Sequence, residues 1–223
     1  VDLIKERDRI NNYLRNRGFY SFNKEFIYFD LDTNNLFNKI NLKLGIQNYK
    51  KTDNGLNNFH ELSHKQFSID KINIVIKNNR LNYSNKISDS LVSESYSIYN
   101  YQKINYNTRI FKKSIVIKKG DLYRNELVKQ SYKRLISLGL FKYVNISFDT
   151  INNNKLIGNI ILNPATTQNL SFSLDGTNNE RLFGFQNSLD YLHNNLFHGG
   201  ERLSLSVKSS LEIQLLLTDS KES

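Results

Sequence analysis

Three segments toward the C-terminal end alternate apolar and polar residues with a period of two. Leu170, Phe172 and Leu174 alternate with Ser171 and Ser173, while Phe183, Phe185, Leu189 and Tyr191 alternate with Gly184, Gln186, Ser188 and Asp190. Leu203, Leu205 and Val207 then alternate with Arg202, Ser204, Ser206 and Lys208. One apolar face kept up at this period predicts strands with lipid on one side and water on the other, the pattern of a transmembrane β-barrel.

Upstream the period changes. Over 2–17, Leu3, Ile10, Tyr13 and Leu14 form one stripe of a predicted helix that stops at Gly18, a residue suited to a left-handed C-terminal cap. Phe26 and Tyr28, then Ile40, Leu42 and Leu44, are alternating runs joined by Asp32-Thr33-Asn34-Asn35, which predicts a hairpin. The same order returns further on. Asn125 is placed to cap a helix with the stripe Leu127, Val128, Ser131, Tyr132, Leu135 and Leu138, ended by Gly139. Val144, Ile146 and Phe148, a turn over 149–154, and Leu156, Ile160 and Leu162 predict a second hairpin before Pro164. Leu14-Arg15-Asn16-Arg17-Gly18-Phe19-Tyr20 aligns with Leu135-Ile136-Ser137-Leu138-Gly139-Leu140-Phe141, so a helix-plus-hairpin unit is repeated.

The second copy is the fuller one. It adds a strand over 67–76 with Phe67, Ile69, Ile72, Ile74 and Ile76 as apolar positions, and a short basic helix near 109–116. The Ser-, Asn- and Tyr-rich stretch 80–107 reads as an inserted loop, and 49–65 as a linker. The first copy, 1–48, lacks an opening strand and helix, and the alternating segments after 168 are too few to close a barrel, so both ends read as truncated.

Composition narrows the classes. The chain of 223 residues has 39% hydrophobic residues, enough for modest cores, and no apolar run long enough for a membrane-spanning helix. Val1-Asp2-Leu3-Ile4-Lys5-Glu6-Arg7 has no apolar signal region, so any export signal is expected upstream or already removed. Without cysteine there are no disulfides or thiolate metal sites. The net charge of +10 is spread along the chain among acids and asparagines, which fits solvated faces and predicts no nucleic-acid partner.

Specific motifs carry a family resemblance. Gly120-Asp121-Leu122-Tyr123 between helices, followed by Leu135-x-x-Leu138-Gly139-Leu140-Phe141-Lys142-x-Val144-x-Ile146-x-Phe148, resembles a POTRA domain. Gly176-Thr177, Phe183-Gly184-Phe185 and Asn194-Asn195-Leu196-Phe197-His198-Gly199-Gly200-Glu201-Arg202-Leu203 resemble the barrel opening of the Omp85 outer-membrane assembly family. Gly18-Phe19-Tyr20-Ser21-Phe22-Asn23 is similar to its BamA/TamA-like branch in Bacteroidota. The resemblance implies α+β POTRA modules of βααββ order followed by the first antiparallel strands of a transmembrane barrel. On that reading 1–48 is a partial POTRA domain, 66–164 a full one, and 168–223 incomplete barrel. Gly199-Gly200 then forms a periplasmic turn with positive φ, and 176–181 the first surface loop.

What the resemblance further implies is a non-enzymatic machine without cofactors. POTRA modules in the periplasm bind unfolded outer-membrane clients by edge-strand addition, and a barrel in outer-membrane lipid inserts them, alone or with accessory lipoproteins. The implied client-pairing edge is Lys142, Tyr143, Val144, Asn145, Ile146, Ser147 and Phe148; the implied barrel seam is Asn169, Leu170, Ser171, Phe172, Ser173 and Leu174. A secretion or translocation pore of the same superfamily is the alternative. A third reading rests on His60-Glu61-Leu62-Ser63-His64, which matches the H-E-x-x-H zinc-hydrolase pattern. It lies in an asparagine-rich connector with only Glu94 as a third ligand at plausible spacing, so chance is the expected explanation. His193 and His198 are expected to be interfacial polar residues rather than ligands.

Overall fold

The computed structural model describes residues 2–32, 41–52, 59–77, 89–92, 96–100, 106–151, 154–179 and 182–214. Helix α1 (Leu3–Arg15) begins where the Asp2 carboxylate accepts from the N–H groups of Ile4 and Lys5. It ends as the backbone swings through Gly18 at φ +99°. A single 3-10 turn leads to β1 (Ile27–Asp32), which pairs antiparallel with β2 (Asn41–Ile46), Tyr28 opposite Gly45. The turn foreseen at Asp32-Thr33-Asn34-Asn35 lies almost wholly outside the described residues.

The stretch expected to be a plain linker instead contains a hairpin, β3 (Tyr49–Thr52) against β4 (Phe59–Leu62). Its strands are four residues each, too short for alternation to register among asparagines and lysines.

A five-stranded sheet forms the centre of the molecule. Its strands are β5 (Ser68–Ile76), β6 (Asp89–Val92), β7 (Ser97–Asn100), β8 (Phe141–Ile151) and β9 (Lys155–Pro164), in the order β6-β7-β5-β9-β8. Strand β5 runs parallel to both β7 and β9, whereas β8 is antiparallel to β9. Helices α2 (Thr108–Ser114) and α3 (Asn125–Ser137) cover one face. Ile72, Ile74, Ile76, Leu156, Ile160 and Leu162 point into that layer against Phe111 and Leu135, all nearly inaccessible to solvent. The opposite face carries a polar row: Asn73 donates to Asn159 (3.1 Å), which donates to Asp149 (2.7 Å), a side-chain ladder across β5, β9 and β8.

The inserted segment is not simply a loop. Its strands β6 and β7 extend the sheet beyond β5, with Ile98 in the core and Ser97 and Asn100 buried beside it. Buried serine and asparagine hid a strand behind the composition of a loop. The second helix also begins differently from expectation. Asn125 is already inside α3, and the N-cap residue Arg124 makes no side-chain capping bond.

After Pro164 the chain forms a three-stranded antiparallel meander, β10 (Gln168–Asn179), β11 (Leu182–Asn194) and β12 (Arg202–Gln214). Gly176 pairs with Phe185 within the ladder, so most of the expected 176–181 surface loop is strand. Leu211 and Ile213 continue the pattern of β12, opposite Phe185 and Phe183. The three strands do not close into a barrel.

Candidate strand-pairing site

Of the two ends of the central sheet, β6 offers four residues and β8 eleven. The ladder fixes which backbone groups of β8 are available. Lys77 N–H donates to the Leu162 carbonyl (2.9 Å), which in a parallel pair turns the even-numbered residues of β9 toward β5. Val144, Ile146 and Phe148 stand opposite Leu162, Ile160 and Gly158, so their own N–H and C=O groups turn away from β9, toward the open side. Asn145 and Ser147 spend theirs on β9. The bulge between Phe141 and Tyr143 takes Lys142 out of the register. Of the implied pairing residues, then, Val144, Ile146 and Phe148 present outward backbone.

A groove of about 320 Å³ runs beside this edge, between α3 and β8. Val128, Tyr132, Val144 and Ile146 give it an apolar floor, and Lys129 and Lys133 line its helix side. These α3 residues were visible in the sequence only as a helix stripe and its margin. Nothing marked them as neighbours of an edge strand, because the helix-to-strand packing that joins them is tertiary.

The far end of the edge is occupied. Tyr20, from the loop after α1, donates its hydroxyl proton to the Phe148 carbonyl at 3.1 Å. Its ring meets Tyr123, Phe148 and Phe67 edge-on, with centroids 5.0, 5.8 and 6.0 Å away. Arg15 lies over the Tyr123 ring and donates to its hydroxyl (3.1 Å). Burial raises the Tyr20 phenol above the usual tyrosine range, the Tyr123 hydroxyl adding to the shift and Arg15 opposing it. Tyr20 therefore stays a neutral hydrogen-bond donor at physiological pH.

The second implied edge, Asn169 to Leu174, lies in β10, which pairs only with β11 among the described residues. Directly opposed residues share a face, so Leu170 and Phe172 lie with Tyr191 and Leu189 and, beyond them, Leu205 and Val207; Leu174 on the same face stands opposite Asn187 and Ser209, and Phe185 pairs with Leu211 further along. Phe172, Val207 and Leu211 are 68%, 67% and 71% exposed, a surface that water does not favour. The other side is polar, with Ser173 and Ser188 hydroxyls 2.7 Å apart. From Leu203 to Ile213 this face, mostly apolar but crossed by the Leu174–Asn187–Ser209 row, covers about 34 Å along the strand, or about 26 Å at a tilt near 40°, close to the roughly 25 Å apolar band of a membrane barrel.

The turn from β11 to β12 docks on the helical layer of the sheet domain. Asn107 N–H donates to the His198 carbonyl (2.7 Å), and Gly200 sits beside Leu140 and Ile110. Gly200 takes positive φ as expected, but the other positive-φ residues of the turn are Asn195 and His198 rather than Gly199.

No helix of the described residues is long and apolar enough to cross a membrane, which leaves strand crossing open. The chain aligns over 95% of its length with BamA from Haemophilus ducreyi lacking POTRA domains 1–3, covering 31% of that chain at 13% identity with a TM-score of 0.52. Over that third of its length the BamA structure has the same fold as this chain. CdiB from Acinetobacter baumannii overlaps more loosely, at 18% identity and a TM-score of 0.47 over 94% of this chain and 30% of that one. The chain thus spans about a third of the length of either structure. Neither a family model nor a curated protein matches the sequence.

The H-E-x-x-H residues do not lie on a helix. His60 and Glu61 lie on strand β4, so the one-turn helical spacing that the pattern relies on is missing. His64 instead packs its ring against Phe22 and Phe26, at 4.9 and 4.8 Å, with Nε2 2.9 Å from the Gln47 carbonyl. Glu94 lies outside the described residues, and among those described no cluster of metal-ligating side chains occurs. His193 and His198 sit at the end of β11 and in the turn.

Proposed function

We propose that this chain is part of an outer-membrane protein assembly factor in which 1–48 is a partial POTRA domain, 66–164 a full one, and 168–223 the opening strands of the barrel. The observation that carries this reading is the direct succession, across Pro164, of a sheet whose end strand β8 turns the backbone of Val144 and Ile146 outward and a meander whose exposed face is mostly apolar over a membrane's depth. A free edge recognises extended polypeptide by main-chain hydrogen bonds, which carry little sequence information and so suit a receptor for many clients. An apolar strand face belongs in lipid. The sheet domain then sits in the periplasm and hands unfolded outer-membrane protein to the seam at Asn169–Leu174. The reading assigns the chain no catalytic chemistry and no cofactor, since pairing and burial supply the driving force.

The test uses the intact protein in its own cells. It is expected to sediment with the outer membrane and to run as a compact band on a gel until boiled, as folded barrels do. A soluble monomer whose mobility does not change on boiling would overturn the proposal.

A further inference from the structure

Strand addition to β8 has two boundaries, one at each end. At the start, the bulge at Phe141/Tyr143 breaks the ladder; at the other end the Phe148 carbonyl, which points to the open side, already accepts from Tyr20. Only Val144 and Ile146 between them keep both outward groups unengaged by β9 and by Tyr20. The opposite end of the sheet is closed by the short β6 and β7, which cover β5. Tyr20 belongs to the first helix-and-hairpin unit, yet it controls an edge of the second. It is fixed there by the Phe67, Tyr123 and Phe148 rings.

We propose that Tyr20 is a register stop, which limits an extended client to a short segment beside Val144 and Ile146, with an apolar side chain over the α3–β8 groove and an acidic residue near Lys129 and Lys133. This rests on the reading of β8 as a client-pairing edge. The acidic preference follows from charge complementarity, because two lysines and no carboxylate line the groove. The stop follows from the hydrogen-bond inventory: a carbonyl already bonded on its outward side, behind an aromatic ring, cannot receive the next strand without displacing both.

The experiment uses the whole chain in detergent micelles with two labelled peptides of alternating valine and threonine around a central glutamate, about five and about nine residues long. Binding is followed by anisotropy, and amide exchange is read at Val144, Ile146 and Phe148. The wild-type chain is expected to bind both peptides within about twofold, slowing exchange at Val144 and Ile146 but not at Phe148. In Tyr20→Phe, which keeps the ring, or in Tyr20→Ala, which removes it, the longer peptide should gain about tenfold, the return of one or two backbone hydrogen bonds, and Phe148 should become protected. A gain in neither variant, or a wild-type chain that already prefers the longer peptide and protects Phe148, overturns the stop. Replacing the peptide's glutamate by lysine should weaken binding several-fold in the wild type and not in Lys129→Gln/Lys133→Gln; equal binding in the wild type overturns the acidic preference. Absence of protection at Val144 and Ile146 with every peptide overturns instead the underlying reading of β8 as a pairing edge.

Discussion

The Asn16 side-chain oxygen accepts a hydrogen bond from the Glu126 backbone N–H at 2.8 Å, so the residue that ends α1 caps the start of α3 more than a hundred positions away. The residue at the N-cap of α3, Arg124, supplies no such bond. One helix end thus completes another, and beside it Arg15 reaches Tyr123 while Gln66 donates to the Arg17 carbonyl (2.8 Å). Asn16→Ala is expected to destabilise the sheet domain by about 1 kcal/mol, the usual cost of losing a helix cap. Urea denaturation should show it, and Asn16→Asp should recover most of the loss, since a carboxylate accepts the same bond and faces the positive end of the α3 dipole. An Asn16→Ala chain as stable as wild type would show that the two units are held without this bond.

Ser131 presents a case where a small polar residue is structural. Fully buried in α3, its hydroxyl donates to the Leu127 carbonyl (2.8 Å) and accepts from the Val116 N–H (3.0 Å), which ties the chain after α2 to α3. Ser131→Ala leaves the Val116 N–H without this acceptor, at a cost of roughly 1–3 kcal/mol. Amide exchange at Val116 should accelerate by more than the global loss of stability explains; an unchanged protection factor would mean that another acceptor replaces the hydroxyl.

The turn between β11 and β12 is organised by a carboxylate. Glu201 accepts from the N–H groups of Gly199 (3.0 Å) and Phe197 (3.2 Å), and Asn195 accepts from Gly200 N–H (3.1 Å). Hydrogen bonding from its own backbone N–H, then from those of Gly199 and Phe197, holds the Glu201 carboxyl below the usual glutamate range, with His198 adding a smaller attraction. Because the folded value is the lower one, the contribution is present above the unfolded value and is lost as pH falls through the folded one. Amide shifts of Phe197 and Gly199 should therefore titrate with midpoints below that of an unstructured glutamate, and Glu201→Gln should abolish the titration. A midpoint at or above the ordinary glutamate value would contradict the geometry.

Periodicity made the larger elements legible. The Leu203–Val207 and Phe183–Tyr191 alternations correspond to β12 and β11, and the Leu127–Leu138 stripe to α3, since each repeats its burial pattern often enough to rise above composition. The four-residue strands β3, β4, β6 and β7 do not repeat it often enough, and Ser97 and Asn100 bury polar atoms where an apolar pattern is sought. The position of Lys142–Phe148 at a sheet edge could be anticipated only through the family resemblance. Tyr20 could not be connected with Phe148 at all, because the relation depends on how two units meet and leaves no trace in local spacing.

The apolar face of the meander yields the sharpest contrast between neighbours. Phe172 and Ser173 are adjacent in β10 but point to opposite sides, Phe172 toward the face shared with Leu189 and Val207, Ser173 toward Ser188. A lysine on a lipid-facing strand position costs about 2–4 kcal/mol near the bilayer midplane, whereas one on the lumen side stays in water. In the intact protein, Phe172→Lys should therefore sharply reduce the fraction of compact, heat-modifiable protein in the membrane, while Ser173→Lys should leave it nearly unchanged apart from the lost Ser188 contact. Both variants carry the same added charge, so net charge cannot explain a difference between them. Equal losses would mean that both faces of β10 are packed against protein, and an effect confined to Ser173→Lys would place the lipid on the polar side, contrary to the exposed Leu170, Phe172 and Leu174.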